Sequence, residues 1–331
     1  MSAPRVAIVA TADRRRAIAP LLAAYHRRYR VNTWSFGSRG VPTVAELAHL
    51  ATDAEAILVI GPRRRSPRTV LPGPVVTATD GRVVPVGWVP DVGADGLARF
   101  AERAAAVHAR AESCHERTTA ILGSRLDRYE DLARRIERLL SADHADAAHR
   151  WTASEQMMED AIDGLGSGPA AVCYVGHGRP VGWAGYRGVR AEHLEQLDQP
   201  SALVMSFTCR TASRRRVGIS FAEQLVVQGS TAACLGAVVA TDHQWNGRWA
   251  YRMCRSLDAA RTVGELVVAA RPELGQSPYR LIGDPLAPLL DAPGARDAMT
   301  AHTRRHRDLA TRALIPGPRP HPNERPQERI A

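Results

Sequence analysis

Short apolar runs alternate with longer amphipathic ones along most of the chain. "RVAIVAT" is a compact β-branched run, "RRRAIAPLLAAYHRRY" spaces its apolar residues as a helix does, and "VNTWSF" returns to a strand-like pattern. "TVAELAHLATDAE" and "AILVIGP" repeat the order of helix then buried strand. Such alternation predicts an α/β fold, with a mostly parallel sheet and helices on its faces. The stretch "RRRSPRTVLPGPVVTATDGRVVPVGWVPD", rich in Pro and Gly, reads as a hairpin or an irregular sheet edge. "GADGLARFAERAAAVHARAES" then predicts an amphipathic helix bridging to a second unit.

A second α/β series begins near residue 116. It runs through "RTTAILGS" as strand, "RYEDLARRIERLL" and "SEQMMEDAIDGL" as helices, and "AAVCYV" and "SALVMSF" as strands. "SFAEQLVVQ" follows as helix, "AACLGAVVAT" as strand, "GRWAYRMCRSLDAA" as helix, and "SPYRLIGDPLAPLL" closes the unit. From residue 291 the chain turns to Arg, Pro and His, a composition that does not fold alone. The expected organisation is a smaller α/β subdomain over 1–115, a larger one over 116–290, and a flexible basic tail over 291–331.

The 331 residues are 45% hydrophobic and 24% charged, the profile of an ordinary globular protein. A net charge of +10 would suggest nucleic acid or an acidic surface. Yet the chain contains no lysine, and an arginine-only, alanine-rich composition reflects a GC-rich genome as readily as a partner. With 5% aromatic residues and no zinc-knuckle spacing, nucleic-acid binding is not expected. Five widely spaced cysteines without a CxxC pair argue against a disulfide framework and a zinc site. The N-terminus lacks the long apolar segment of a secretory signal, and "STAACLGAVVATD" is too short to span a bilayer, so a cytoplasmic location without membrane association is expected. Neither half carries a phosphate-binding glycine loop; "GSRG" at 37–40 is too short, so no nucleotide cofactor is expected.

Two strand-like runs end on residues able to do proton or sulfur chemistry. "AAVCYVGHG" ends at His177 between Gly176 and Gly178, and "SALVMSFTC" ends at Cys209. In a parallel sheet, side chains at strand carboxyl ends open onto one edge, so neighbouring strands would bring imidazole and thiol together. The thiol is intrinsically nucleophilic and the imidazole can carry its proton. The flanking glycines allow a sharp turn, and the Gly178 N–H can face a developing oxyanion. The opposing reading is that a cysteine ending an apolar strand is a small buried hydrophobe. That is the reading for Cys173, Cys234 and Cys254; Cys114 is incidental, and His26, His108 and His149 read as packing or surface residues.

"YVGHG" followed by Trp183, then "SFTC", "GISFAEQLVVQGSTAACLGAVVAT" and "YRLIGDPLAPL" in that order, resembles the gingipain-type cysteine peptidases of the caspase-like clan. The resemblance is best from 116 to 290 and weak in the first hundred residues. It implies a caspase-like sandwich preceded by a smaller α/β subdomain. It also implies His177 as catalytic histidine, Cys209 as nucleophile, and the Gly178 and Cys209 N–H groups as oxyanion hole. Hydrolysis would pass through a thioacyl enzyme. No cofactor or metal is implied, and calcium, seen in relatives, has no compact acidic loop here.

The same resemblance places Trp245 of "ATDHQWNGRW" at the pocket for the residue before the scissile bond, near Thr241, Asp242 and His243. A carboxylate there would select Arg by bidentate pairing. Asp242 is one candidate. Asp127, Glu130 and Asp131 of "SRLDRYEDL" are others, with a solvated helix start as the plain alternative. Against Arg selection stand the four arginines of "CRTASRRRVG", which could bind an acidic substrate residue, form a flexible loop, or serve as self-cleavage sites. That loop and the missing leader suggest a regulated intracellular protease with an activating partner, of the kind used in bacterial defence or cell death. The rivals are an inactive scaffold, a nucleic-acid-associated protein, and a thiol hydrolase that does not cut peptides.

Overall fold

In the computed structural model of the chain, residues 3–35, 41–62, 70–142, 147–271 and 277–314 are described. The "GSRG" segment and the last seventeen residues lie outside them. The first half runs β1 (Arg5–Val9), α1 (Ala12–Ala17), α2 (Ala19–His26), β2 (Arg30–Trp34), α3 (Val44–Ala51), β3 (Ala56–Ile60), β4 (Val75–Thr77), β5 (Val83–Val89) and α4 (Ala94–Ala109). The second continues with β6 (Thr119–Gly123), α5 (Asp127–Leu140), β7 (Ala148–Thr152), α6 (Met158–Leu165) and β8 (Ala171–Val175). A small antiparallel sheet follows, β9 (Gly178–Arg179), β10 (Gly182–Trp183) and β11 (Val189–Arg190). Then come β12 (Ser201–Phe207), α7 (Phe221–Val227), β13 (Thr231–Ala237), α8 (His243–Ser256), α9 (Val263–Ala270), β14 (Tyr279–Gly283) and α10 (Ala295–Leu314).

One sheet serves both halves, in the order β2-β1-β3-β5-β14-β13-β12-β8-β6-β7, with β4 added as the hairpin partner of β5. Along this path every neighbouring pair is parallel except β13 and β14. This single reversal decides where a site can be. The carboxyl ends of β6, β8, β12 and β13 share one edge, whereas those of β1, β3, β5 and β14 open onto the opposite one. Strands β3, β8, β12 and β13 are buried along their whole length, as expected where helices cover both faces.

The stretch expected as a hairpin or an irregular edge does form a hairpin, β4 with β5, but β5 then runs on into the middle of the sheet. Strand β5 lies between β3 and β14 through its second half, while its first half holds the hairpin with β4. Its Pro and Gly residues concealed the insertion of that second half. Strand β7, "AHRWT", also escaped the pattern, because His149 and Arg150 break its apolar character. Arg150 reaches Glu137 and Glu155 at 2.9 and 2.7 Å, and Trp151 is fully buried.

The tail expected to be flexible from residue 291 instead begins as packed structure. The Asp291 carboxylate is buried and accepts from the Thr118 and Ala170 N–H groups at 2.8 and 2.7 Å. In α10, Ala295, Met299 and His302 are buried, and Thr303 meets both His149 and the Trp151 indole at 3.0 Å. Residues 295, 299, 302 and 303 share one helical face; the many arginines between them hid that face in the composition.

The Gly-Asp-Pro element is a tie between the halves. Gly283 has φ +100°, and a Cβ there would lie 2.3 Å from the Ala232 carbonyl oxygen, so only glycine fits. The next residue, Asp284, is fully buried and accepts from the Tyr25 hydroxyl at 2.5 Å and the Leu286 N–H at 2.7 Å. It also pairs with His108 Nε2 at 2.7 Å. Burial, and then the adjacent carboxylate, pushes the Tyr25 hydroxyl far above its usual range and keeps it a donor. No helix among the described residues is long and apolar enough to cross a membrane.

Candidate active site

Strands β8 and β12 are adjacent, parallel and in register, Val175 opposite Phe207. The two segments that leave them, Gly176-His177-Gly178 and Thr208-Cys209, therefore emerge side by side on one edge. A Cβ on Gly178 would lie 2.2 Å from Thr208 Oγ1 and 2.9 Å from the Cys209 carbonyl oxygen. The backbone after the histidine thus rests directly on the cysteine turn, which any side chain would push away.

The thiol faces the loop that follows β13. Cys209 Sγ donates to the Thr241 carbonyl at 3.3 Å and accepts from the Thr241 N–H at 3.4 Å. Arg210 follows it at φ +60°, an uncommon conformation for a residue with a side chain, which marks a tight turn at the sulfur. Cys209 is partly exposed, while Cys114, Cys173, Cys234 and Cys254 are buried. Iodoacetamide applied to the folded chain is therefore expected to alkylate Cys209 alone. Modification of any other cysteine, read by peptide mass spectrometry before unfolding, would contradict that arrangement.

His177 is exposed, but its backbone is fixed. Its carbonyl accepts from the Ala184 N–H at 2.9 Å and the Tyr174 hydroxyl at 3.0 Å. Tyr174 stacks on Trp183 at 4.5 Å, and the Trp183 indole donates to Ser206 Oγ at 2.8 Å on β12. Trp183 therefore couples the histidine turn to the cysteine strand. Burial raises the Tyr174 hydroxyl to about 12, so it stays protonated and able to donate.

Several residues here escaped the sequence reading. Arg128 Nη2 lies 3.1 Å from His177 Nε2. A guanidinium can only donate, so Nε2 is the acceptor in this contact. Arg128 also covers the Tyr129 ring at 4.9 Å, and Tyr129 meets His177 and His243 edge to face at 5.3 and 5.2 Å. Burial raises the Tyr129 hydroxyl; burial, then Arg128, lowers His243. The available signal was topological: β6 neighbours β8 in parallel, so the start of α5 had to reach the same edge.

The expected pocket residues are dispersed. Asp242 is the exposed N-cap of α8, its Oδ1 accepting from the Trp245 N–H at 2.7 Å. Trp245 is partly buried against the core. Asp127 is exposed at the start of α5, and Asp131 pairs with Arg134 at 3.0 Å. None of the four lines the cleft of about 470 Å³ beside His177, whose walls include Ser124, Leu126, Met157, Glu159, Tyr186 and Arg187.

The arginine loop is not the flexible segment considered above. Arg210 and Ala212 donate from their backbone N–H groups to the Val239 and Ala237 carbonyls at 3.1 and 2.9 Å. Arg214 is buried, its Nε 2.9 Å from Glu223, which is itself fully buried and accepts from Ser220 Oγ at 2.7 Å. Arg214 is thereby withdrawn from any substrate, while Arg215 and Arg216 stay exposed.

Comparison with known proteins gives a consistent result. The crystal structure of the Arg-specific cysteine proteinase gingipain R (RgpB) superposes with a TM-score of 0.67 at 16% identity, over 86% of this chain and 78% of that one. A complex of Porphyromonas gingivalis RgpB pro- and mature domains gives 0.62 at 15% identity, over 86% and 79%. A structure described only as a protease gives 0.66 at 14%, over 86% and 78%. These likenesses show the fold, with the sheet and helices expected of a gingipain-like α/β protein. No curated protein matches the sequence. The sequence profile of peptidase family C25 matches residues 94–290, well over half of the chain and the part that supplies the edge carrying His177 and Cys209. By that match the chain belongs to peptidase family C25 and is a cysteine peptidase of the gingipain type.

Proposed function

We propose that the chain is a cysteine endopeptidase in which Cys209 attacks the scissile carbonyl and His177 carries the proton, with a preference for Arg before the scissile bond. The observation that supports this reading is the pairing of β8 with β12, from whose carboxyl ends the segments bearing an exposed imidazole and a partly exposed thiol leave on the same sheet edge. The thiol proton passes to His177 Nε2 as that nitrogen exchanges its Arg128 contact for the proton, and sulfur adds to the carbonyl carbon. The tetrahedral oxyanion is stabilised by the Gly178 and Cys209 N–H groups. It collapses as the C–N bond breaks, and His177 protonates the leaving amine. Water then adds to the thioacyl carbon, the C–S bond breaks, and the acid and free thiol are released.

Arg preference rests on Asp242. It adjoins Thr241, whose carbonyl touches Cys209 Sγ, and the N-cap contact from Trp245 holds one of its oxygens in place. Its other oxygen is the acceptor for a substrate guanidinium. Fluorogenic peptides that differ only before the scissile bond test this. Wild type is expected to favour Arg, and Asp242→Asn, which retains a good N-cap, to lower kcat/KM for Arg over a neutral residue by about tenfold to a hundredfold. Unchanged selectivity in that variant would remove Asp242 from the role.

A further inference from the structure

The helices α5 and α8 enclose a second cleft, of about 770 Å³, that begins at the candidate active site. Its walls carry Arg128 and Arg135 from α5 and Arg248 and Arg252 from α8. Leu132, Gly247 and the half-exposed Tyr251 give it apolar surface, and a Cβ on Gly247 would lie 3.8 Å from Leu132, so the helices meet there. The one acid in its walls, Asp131, is already paired with Arg134.

Three partly or fully buried arginines elsewhere in the fold hold carboxylates: Arg14 holds Asp91, Arg150 holds Glu137 and Glu155, and Arg214 holds Glu223. Among the described residues, none of the four cleft arginines has a carboxylate within ion-pair distance; Arg128 donates to His177, and Arg252 to the Arg271 carbonyl at 3.1 Å. Like charges gathered without counter-charges repel one another and attract an anionic chain.

We propose that this cleft is an exosite for an acidic segment of the protein substrate, held beside the scissile bond by Arg135, Arg248 and Arg252. The proposal rests on the peptidase reading above for its link to cleavage. Positions 128 to 135 of one helix are separated by about 10 Å, which an extended peptide covers in about three residues, so a run of three or four Asp or Glu residues spans the cleft. Continuity with the site through Arg128, the residue that touches His177, argues for a peptide occupant. A nucleic-acid strand would find a single exposed aromatic residue, Tyr251, on which to stack.

The test is fluorescence anisotropy of a labelled ten-residue peptide with four consecutive glutamates, titrated with full-length Cys209→Ala protein at two salt concentrations. Binding that weakens with salt is expected, and each of Arg135→Ala, Arg248→Ala and Arg252→Ala should raise Kd about 1.5- to 5-fold. The triple variant should raise it tenfold or more. A charge-matched control, Arg30, Arg304 and Arg305 to Ala, should leave it within twofold. Because this readout uses an inactive chain, it stands or falls independently of catalysis.

In the active protein, appending the acidic run to a cleavable Arg peptide should raise kcat/KM relative to the plain peptide, and the triple variant should bring that ratio toward one. Absence of binding, equal loss in the control triple, or tighter binding of an oligothymidylate that displaces the peptide would each overturn the assignment.

Discussion

Replacing Cys209 with Ala is expected to abolish peptide cleavage, with a loss on the order of a million-fold in kcat that carries the signal to the assay floor. The expectation follows from sulfur's role: without it no thioacyl enzyme forms, and neither the imidazole nor the backbone donors supply a substitute nucleophile. His177→Ala should cost less, about a hundredfold to ten-thousandfold, because it removes proton transfer and leaves the nucleophile in place. The informative measurement is burst and steady-state hydrolysis by both variants beside wild type, with unfolding curves to show that each remains folded. A Cys209→Ala protein that retains wild-type turnover would end the peptidase assignment of this residue. Activity in none of the three would favour a scaffold, or an enzyme awaiting an activating partner.

The second large effect lies beneath the site. Glu223 and Arg214 form a buried pair that anchors the loop following the nucleophile to the start of α7. Glu223→Gln leaves a cation at a position that burial has stripped of water, at a cost of about 3–5 kcal/mol in stability. Removing both charges, as Arg214→Met with Glu223→Gln, should recover most of it, because the desolvation penalty disappears with the cation. Urea unfolding of the two single variants and the double one makes the comparison. If the double substitution is as unstable as the sum of the singles, the ion pair is not what ties this loop down.

Much of this architecture is legible in residue patterns, for a physical reason. Strands buried on both faces, such as β3, β8, β12 and β13, must be continuously apolar, so their runs stand out, and both candidate chemical residues follow such runs. What escapes is what depends on pairing between distant segments. Strand β7 reads as polar until Glu137, Glu155 and Thr303 are brought to it. The β4–β5 hairpin is legible, but the insertion of β5 into the sheet is not, because its proline and glycine say nothing of β14, far away in the chain. Arg128 and Tyr129 reach His177 only because β6 lies beside β8. Arg214 looked available to a substrate until Glu223 claimed it.

The pairing of β5 with β14 also governs the order in which the chain can complete itself. Strand β5 ends at Val89, but its partner β14 begins at Tyr279, roughly 190 residues later. On a ribosome adding about 5–20 residues per second, the first half of the chain waits on the order of ten to forty seconds with that side of its strands unpaired. Tyr25 and His108 likewise wait for Asp284. The sheet of the early half therefore closes only when β14 arrives, the same strand that covers the free side of β13.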